Sequence, residues 1–295
     1  MIKKAIITGA TGFVGSNLCK KLLGNNWDVS IISRPTSNYS SLGHLVNNID
    51  IFEDNGDIES LINYFDDQNA EVVFHLAAMF LSSHNPDQIN ALVDSNIRFG
   101  LHILEAMKFT STKILINTGT SWQHYNSDNY NPVNLYAATK EAFEKILKYY
   151  IEAEKLRVIT LKLFDTYGDS DERGKIISLL NQYSGKEEAL NMSPGYQVLD
   201  FVHVDDVTNA YVRAYEYLME NPNVKEMEFG VGSGRAVTLR KLVQLIEQTT
   251  NQKINVNWGE RKYRKREVMN IWKNYNKLPN WECQISLEEG LKLFK

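Results

Sequence analysis

The chain has 295 residues, 43% of them hydrophobic and 23% charged, which is enough for a large core and more than one lobe. Thirty-two basic residues stand against thirty-six acidic ones, so the net charge is −4. This balance excludes a general electrostatic attraction to nucleic acid or to an anionic membrane.

The sequence also bears on the location of the protein. No apolar run has the length of a membrane span, and residues 1–4 lead directly into the first predicted strand without a signal-peptide core. The two cysteines, Cys19 and Cys283, lie far apart and have no partner motif. We therefore expect reduced thiols and a cytoplasmic protein, and we predict no metal site.

A glycine-rich turn follows the first apolar strand, which is predicted at 5–7. Gly9, Gly12 and Gly15 stand between this strand and a run of apolar residues at helical spacing. Glycines let a pyrophosphate approach the unpaired N–H groups of a helix N-terminus. A tight turn that needs glycine only for its dihedral angles is the alternative. A second strand at 29–32 completes a βαβ unit and favours dinucleotide binding.

The rest of the chain alternates between strands and helices. Further strands are predicted at 49–52, 72–76, 113–116, 158–161 and 227–231. One helix is predicted to begin at 58, a second, long one to end at about 108, and a third to cover 135–154. This alternation predicts an α/β fold with a doubly wound (Rossmann), mostly parallel sheet. We assign 1–165 and 200–230 to this dinucleotide-binding domain. A smaller, interleaved C-terminal substrate-binding lobe then comprises 166–199 and 231–295.

Tyr136 and Lys140 are candidates for proton transfer. They are four residues apart on a predicted helix and so share one face. An ammonium beside a phenol favours the phenolate, so we expect a lowered pKa for Tyr136. Taken alone, such a pair is most often an ordinary exposed one. The helix begins soon after the hydroxyl-rich strand end at 117–121, however, which places both side chains near the ligand edge of the sheet.

Several motifs together resemble the extended short-chain dehydrogenase/reductases, the NAD-dependent epimerase/dehydratase family. The matching segments are 8–15, 56–57, 75–78, Asn96, 136–140, 164–168, 200–206 and 263–267. The resemblance spans almost the whole chain. It implies a dinucleotide cofactor and a nucleotide-sugar substrate.

The resemblance implies specific roles around the cofactor. The pyrophosphate turn would comprise Gly9, Thr11, Gly12, Phe13, Val14 and Gly15. Asp57 and Ile58 would hold the adenine. The remaining cofactor contacts would come from Leu76, Ala77, Ala78, Asn96, Phe164 and Thr166, together with Tyr136 and Lys140.

The end of the second strand predicts which dinucleotide binds. An acidic residue there would bind the ribose of NAD, but Ser33 and Arg34 occupy the place, and an arginine can pair with a 2′-phosphate. A surface arginine without this role is the alternative. We therefore expect NADP(H) to be preferred, with NAD(H) possible.

The resemblance also assigns catalytic residues. Tyr136 would be the acid/base and Lys140 its ribose-bound partner. The catalytic hydroxyl would come from the turn after the fifth strand, where the alignment is ambiguous and one register places Gly119. We choose Thr120, with Thr118 second.

Substrate contacts depart from the family pattern at two positions. Asp165 replaces the usual Asn, and Leu199 replaces an Arg that commonly holds the nucleotide diphosphate. Arg264 remains available for the diphosphate, although it stands in a basic run that would also suit a solvated surface. Phe80 and Asp165 are expected to face the sugar.

The run 117–125, followed by 131–136, resembles reductases that act on CDP-linked 4-ketodeoxyhexoses. It implies NADPH-dependent C4 reduction of a 4-keto-6-deoxyhexose or 3,6-dideoxyhexose in bacterial surface-polysaccharide (O-antigen) sugar synthesis. The absence of an acidic pair after Thr120 argues against a dehydratase. An NAD-retaining 4-epimerase and, more remotely, a non-catalytic dinucleotide sensor remain alternatives.

The family suggests a homodimer through helices near 96–106 and 136–153. Tyr149, Tyr150 and Ile151 would supply apolar surface to this interface or, alternatively, belong to the core of the monomer.

Overall fold

The computed structural model describes residues 2–169 and 171–293. Within these ranges the strands are β1 Lys4–Thr8, β2 Asp28–Ser33, β3 Asp50–Glu53, β4 Val72–His75, β5 Ile114–Thr120, β6 Arg157–Leu163, β7 Asp165–Tyr167, β8 Leu190–Met192, β9 Val198–Leu199, β10 Phe201–His203, β11 Glu226–Val231, β12 Val237–Thr238 and β13 Val256–Trp258. The α-helices are α1 Phe13–Gly24, α2 Ile58–Gln68, α3 Ile89–Val93, α4 Phe99–Phe109, α5 Leu135–Ala153, α6 Ile176–Tyr183, α7 Val204–Glu220, α8 Leu239–Thr250 and α9 Leu287–Leu293.

Seven of the described strands form one sheet in the order β11-β6-β5-β4-β1-β2-β3, and every adjacent pair is parallel. Buried apolar residues cover both faces, in one core with α1 and α7 and a second with α2, α4 and α5. The predicted doubly wound α/β fold is confirmed. The order reverses at β1, where β2 lies on one side and β4 on the other, so the ligand crevice is expected beyond these strand ends.

A third cluster of buried apolar residues lies in the C-terminal part of the chain. It joins α6, α8, β8 and residues of β10. Small two-stranded sheets pair β7 with β10, β9 with β12, and β8 with β13. The separate core supports the proposed substrate lobe, whose boundaries stay a prediction.

Helix α5 begins at a cap that also connects it to the loop after β4. The Asn134 side chain accepts from the backbone N–H of Ala137 at 3.0 Å and donates to the carbonyls of Leu81 and Ser82 at 3.0 and 3.1 Å. The cap thus orients the helix that carries Tyr136.

The region 181–194 contains the end of α6 and strand β8. The long helical region predicted before 108 is present: α3 and α4 are joined without a break in helical backbone by a π-helical segment, Asp94–Arg98, a feature often found at functional sites. Over the described residues, no helix combines the length and hydropathy that a membrane span requires.

Candidate active site

A cavity of about 850 Å³ lies over the carboxyl ends of the sheet strands. Most predicted site residues line it: Gly9, Gly12, Phe13, Val14, Gly15, Leu76, Ala78, Phe80, Thr118, Thr120, Tyr136, Phe164, Asp165, Thr166 and Arg264. The glycine turn is at one end, and residues of the C-terminal lobe are at the other. The cavity is large enough for a ligand that spans both parts of the molecule.

The glycine turn is shaped so closely that side chains are excluded. Gly9 has φ +73°, and a Cβ there would lie 2.6 Å from the Ala77 nitrogen. A Cβ on Gly15 would lie 2.1 Å from the Gly9 carbonyl oxygen. Helix α1 starts at Phe13, and the Gly12 cap offers no side-chain acceptor to the first turn. The free N–H groups of that turn fit a pyrophosphate.

The two candidate hydroxyls at the end of β5 differ in their partners. Thr118 Oγ1 donates to the His75 carbonyl at 2.7 Å and lies 2.6 Å from the Tyr211 hydroxyl. Thr120 Oγ1 accepts from the Trp122 backbone N–H at 3.3 Å. The Thr118 proton is therefore committed to a carbonyl, whereas that of Thr120 is available to a ligand in the cavity. This difference favours Thr120.

Tyr136 lies on the first turn of α5 with its ring edge-on to Phe80, their centroids 5.0 Å apart. Burial raises the pKa of Tyr136 to about 12. The expected lowering of this pKa is therefore wrong for the protein on its own, because burial takes the phenolate away from water. The phenol is held in its protonated form.

Lys140 is almost fully buried, with 2% of its surface exposed. Burial lowers its pKa to about 8, and the nearby charge of Glu144 opposes that shift. Beneath it, His75 is also buried and shares a 2.9 Å hydrogen bond with Thr8 Oγ1. Burial, with a smaller contribution from the Lys140 charge, lowers the pKa of His75 to about 3, so this imidazole stays neutral.

Asn96, predicted to touch the cofactor, is occupied by protein partners. Its Oδ1 accepts from the Met79 N–H at 2.7 Å, and its Nδ2 donates to the Met79 carbonyl at 3.1 Å and to Thr139 Oγ1 at 2.9 Å. Both amide protons and one of the two Oδ1 lone pairs are thus used. Asn96 connects the loop after β4 to α5, and its direct contact with the cofactor remains a prediction.

The residues predicted for the adenosine half lie at the ends of β2 and β3, outside the cavity lining. Ser33 Oγ lies 2.7 Å from the Tyr39 hydroxyl, and that hydroxyl donates to Glu53 at 3.2 Å. Arg34 is exposed, and no carboxylate of the described residues lies within ion-pair distance of it. Asp57 caps α2 by accepting from Glu59 N–H at 3.3 Å, and Ser60 Oγ donates to it at 2.5 Å.

The remaining predicted cofactor residues have local roles in the structure. Thr11 uses its carbonyl to accept from Ser41 Oγ at 2.9 Å, and Ile58 packs against the core under α2. Ala77 donates its N–H to Thr8 Oγ1 at 3.2 Å, and this bond holds the end of β4 beside the glycine turn. Their contacts with a cofactor remain predictions.

Sequence reasoning missed Lys175, the residue before α6. Its Nζ lies 3.8 Å from the centroid of the Phe80 ring, and it lines the cavity. Among the described residues no carboxylate lies within 4.0 Å of this ammonium, although Asp165 is near enough to oppose the lowering of its pKa by burial. Nothing in the sequence around a single lysine at a helix start indicates that its side chain lines a ligand cavity. Only the packing of the C-terminal lobe against the sheet brings Lys175 to Phe80.

The other end of the cavity is basic. Arg264 holds Glu267 through its Nη2 at 2.7 Å and its Nε at 3.1 Å. No side chain among the described residues accepts its remaining guanidinium protons, so they can bind a ligand. Arg261 and Lys262 also line the cavity. Arg173, which pairs with Asp171, lies instead over the ring of Phe13 beside the glycine turn. Leu199 lines it without a charge. An anionic ligand group is the natural complement of this end.

The parallel sheet, the glycine turn and the Tyr136–Lys140 helix define a dinucleotide-dependent enzyme of the Rossmann class. A family model described as the NAD dependent epimerase/dehydratase family matches residues 5–230. The chain belongs to this family, and the resemblance seen in the sequence is confirmed. The family comprises enzymes that modify nucleotide sugars with an NAD(P) cofactor.

Individual relatives are more distant. CDP-abequose synthase of Salmonella muenchen is 27% identical over 293 residues, which cover 98% of this chain and 96% of that protein. A putative UDP-glucose 4-epimerase of Methanocaldococcus jannaschii is 25% identical over 306 residues, covering 97% and 95%. UDP-glucose 4-epimerase of Thermotoga maritima, solved with UDP-glucose, superposes with a TM-score of 0.84 at 25% identity, covering 98% and 96% of the two chains.

Proposed function

We propose that the protein reduces the C4 ketone of a nucleotide-linked 4-keto-6-deoxyhexose, CDP-linked in preference to other nucleotides, with NADPH as the hydride donor. The observation that carries this proposal is that the phenol of Tyr136 and the hydroxyl of Thr120, whose proton is available to a ligand, line the same cavity. A ketone that receives a hydride needs a proton on its oxygen. The epimerase alternative would use the same Thr, Tyr and Lys side chains, so only an activity measurement distinguishes the two reactions.

In this reaction NADPH supplies the hydride to C4. Tyr136 donates its proton to the C4 oxygen, and the Thr120 hydroxyl donates a hydrogen bond to the same oxygen. The Lys140 ammonium stabilises the phenolate that Tyr136 becomes, because an opposite charge one turn away lowers the energy of the anion. A proton from solvent then returns to Tyr136.

The lining supports a 6-deoxysugar next to Phe80. An aromatic ring favours a methyl group over a hydroxymethyl group, whose hydroxyl would lose its water without gaining a partner. Asp165 and Lys175 offer one acceptor and one donor to the sugar hydroxyls. Ser121 and Trp122 follow Thr120 where a dehydratase would require acidic residues, so elimination of water lacks its catalyst.

Arg264 is proposed to hold the diphosphate, with Arg261 and Lys262 at the same end of the cavity. Leu199 cannot supply the guanidinium found at this position in the family, so the charge must come from this segment. The preference for CDP rests on the CDP-abequose synthases among the relatives and on the likeness at 117–125.

Arg34 supports the preference for NADPH. It is exposed at the end of β2 and has no carboxylate partner among the described residues, so it is free to pair with a 2′-phosphate. The position of Glu53, which is held near Ser33 through Tyr39, favours the alternative cofactor, NAD. A carboxylate there would suit the ribose of NAD, the dinucleotide named with several structural neighbours, including a UDP-glucose 4-epimerase from Thermus thermophilus.

A homodimer through the outer faces of α4 and α5 remains our proposal. Tyr149 is 57% exposed and Phe109 is 62% exposed, so both are available to a partner. Tyr150 and Ile151 are buried in the core of the monomer and cannot contribute.

A substrate panel tests the function. CDP-, dTDP-, UDP- and GDP-linked 4-keto-6-deoxysugars, including the 3-deoxy forms, are supplied with NADPH, and its oxidation is followed. We expect reduction of the CDP-linked ketosugar above the others. Epimerisation of an ordinary UDP-hexose without added cofactor, in the absence of any reduction, would establish the epimerase. Dinucleotide binding without turnover of any sugar in the panel would favour the sensor.

A further inference from the structure

A buried polar network lies directly behind the turn that carries Thr120. Thr120 ends β5 and caps the short 3₁₀ helix Ser121–Gln123. Its backbone N–H donates to Oε1 of Gln123 at 2.9 Å. Gln123 has no exposed surface, so this bond is protected from water. The geometry of the Thr120 hydroxyl therefore depends on where the Gln123 side chain is held.

The Gln123 amide is held by α5, the helix of Tyr136. Its Nε2 donates to Glu141 at 2.6 Å and to Glu144 at 3.0 Å. Every hydrogen-bonding proton of the amide is thus used. The reverse orientation would place the amide oxygen against two carboxylates and leave the Thr120 N–H without an acceptor, so a single orientation is favoured.

Lys162 on β6 supplies the central charge. Its ammonium has three protons and lies within hydrogen-bond distance of Glu228 at 2.9 Å, Glu144 at 3.2 Å and Nε2 of His124 at 3.3 Å. Glu141 is a fourth ion-pair partner at 3.6 Å. An ammonium cannot accept a hydrogen bond, so Nε2 of His124 accepts and Nδ1 donates to the Asp128 carbonyl at 3.0 Å. Only 2% of the Lys162 surface is exposed.

Gly119 also belongs to this arrangement. It is opposite Lys162 in the β5–β6 register, and a Cβ there would lie 2.8 Å from Oε1 of Glu144. The glycine between the two threonines thus allows Glu144 to approach the strand. The close approach of Glu144 explains why a glycine stands at position 119, the residue that one alignment register places at the catalytic hydroxyl.

We propose that Gln123, supported by Glu144 and Lys162, is a positioning residue that holds the Thr120 turn against helix α5 and thereby sets the spacing between the Thr120 and Tyr136 hydroxyls. This inference rests on the proposed catalytic role of Thr120. Buried ion pairs contribute little net stability once desolvation is counted, but a fully satisfied network favours one geometry over others. The network therefore acts on the site rather than on the fold alone.

The charges that face Glu144 come from several elements. Lys162 belongs to β6, Glu228 to β11, and Glu141 and Lys145 to α5 itself, where Lys145 pairs with Glu141 at 2.9 Å. Lys140 on α5 also faces Glu144, whose charge opposes the lowering of the lysine pKa. The ring of His124, whose pKa burial lowers, lies against Lys162. Burial likewise raises the pKa of Glu144 to about 7. The protonation of Glu144 should therefore change near neutral pH.

The test follows the Thr120 amide by NMR in the full chain labelled with ¹⁵N-threonine, a measurement that needs no substrate. In Gln123→Met we expect the Thr120 amide to exchange about tenfold faster, since it loses its acceptor. Turnover of the best substrate in the panel should fall about tenfold with KM and NADPH affinity little changed, because a displaced hydroxyl affects the transition state more than binding. Lys148→Met is the matched control, since Lys148 joins α5 to β11 through Glu226 at 2.8 Å but lies outside the network.

Glu144→Gln is the second variant and serves if Gln123→Met does not fold. Glutamine has the shape of glutamate and keeps an oxygen that can accept from Gln123. In the wild type the Thr120 amide shift should titrate near pH 7, and in Glu144→Gln this titration should disappear. Unchanged exchange and turnover in a folded Gln123→Met variant, or a Thr120 titration that persists in Glu144→Gln, would overturn the proposal. Failure of every ketosugar in the panel would instead overturn the proposed function and leave the amide results to stand on their own.

Discussion

The hydroxyl oxygens of Thr118 and Tyr211 lie 2.6 Å apart, and Thr118 donates its proton to the His75 carbonyl. This pair connects β5 to α7 at the end of the sheet. Thr118 therefore has a structural bond where Thr120, two residues later, keeps its proton for a ligand.

The two threonines should respond differently to the same substitution. Thr118→Val leaves the buried Tyr211 hydroxyl without its partner and should lower the free energy of unfolding by about 1–3 kcal/mol, with a modest effect on turnover. Thr120→Val removes a donor to the reacting oxygen and should lower turnover about a hundredfold. Urea unfolding and steady-state kinetics on both variants check this, and the reverse pattern would make Thr118 the catalytic hydroxyl.

Tyr136→Phe removes the proposed acid. Turnover should fall by about a hundredfold or more while NADPH affinity stays close to that of the wild type. Kinetics and cofactor titration on the same preparation measure both quantities. Tyr64→Phe serves as a control, because Tyr64 is bonded to Asp50 at 3.2 Å, outside the cavity. Near-normal turnover in Tyr136→Phe would remove Tyr136 from the mechanism.

Arg34→Ala tests the choice of dinucleotide. If Arg34 pairs with the 2′-phosphate, the Kd for NADPH should rise about tenfold while that for NADH is unchanged. Arg98→Ala is a suitable control, since Arg98 is an exposed arginine that pairs with Asp94 at 2.9 Å on the π-helical segment. Equal effects of Arg34→Ala on the two cofactors would show that Arg34 does not bind the phosphate.

Lys175→Met tests the cation over Phe80. We expect KM for the nucleotide sugar to rise about tenfold, because a charge-assisted hydrogen bond to the substrate is lost. Lys186→Met provides a matched control, because its Nζ lies 5.6 Å from the centroid of the Tyr183 ring and it does not line the cavity. An unchanged KM in the Lys175 variant would place this ammonium outside the sugar site.

The buried ammonium of Lys140 makes stability depend on pH. Its pKa is about 8 in the folded protein against 10.5 when exposed, so between these values the unfolded chain binds more protons and stability rises with pH. Relative to Lys140→Met, the free energy of unfolding of the wild type should increase by about 2 kcal/mol between pH 8 and pH 10. Chemical denaturation of both proteins across this range measures the difference. A flat difference would mean that Lys140 keeps its ordinary pKa.

Local patterns in the sequence predicted much of the fold and most of the candidate site residues that line the cavity. The apolar strand before Gly9 and the helical spacing after Gly15 predict the βαβ turn, because backbone conformation and periodicity are properties of neighbouring residues. The i, i+4 spacing of Tyr136 and Lys140 likewise follows from the helix itself. These features do not depend on distant parts of the chain.

Tertiary packing decided the rest. The raised pKa of Tyr136 and the protein partners of Asn96 depend on desolvation and on contacts between remote elements. Lys175 reaches Phe80 only because the C-terminal lobe covers the sheet edge. Lys162 pairs with Glu141 and Glu144 only because β6 packs behind α5. Burial and hydrogen bonding between residues far apart in the chain are set by the folded shape. The sequence by itself therefore named the candidate reacting groups, and the tertiary structure determined their burial and their neighbours.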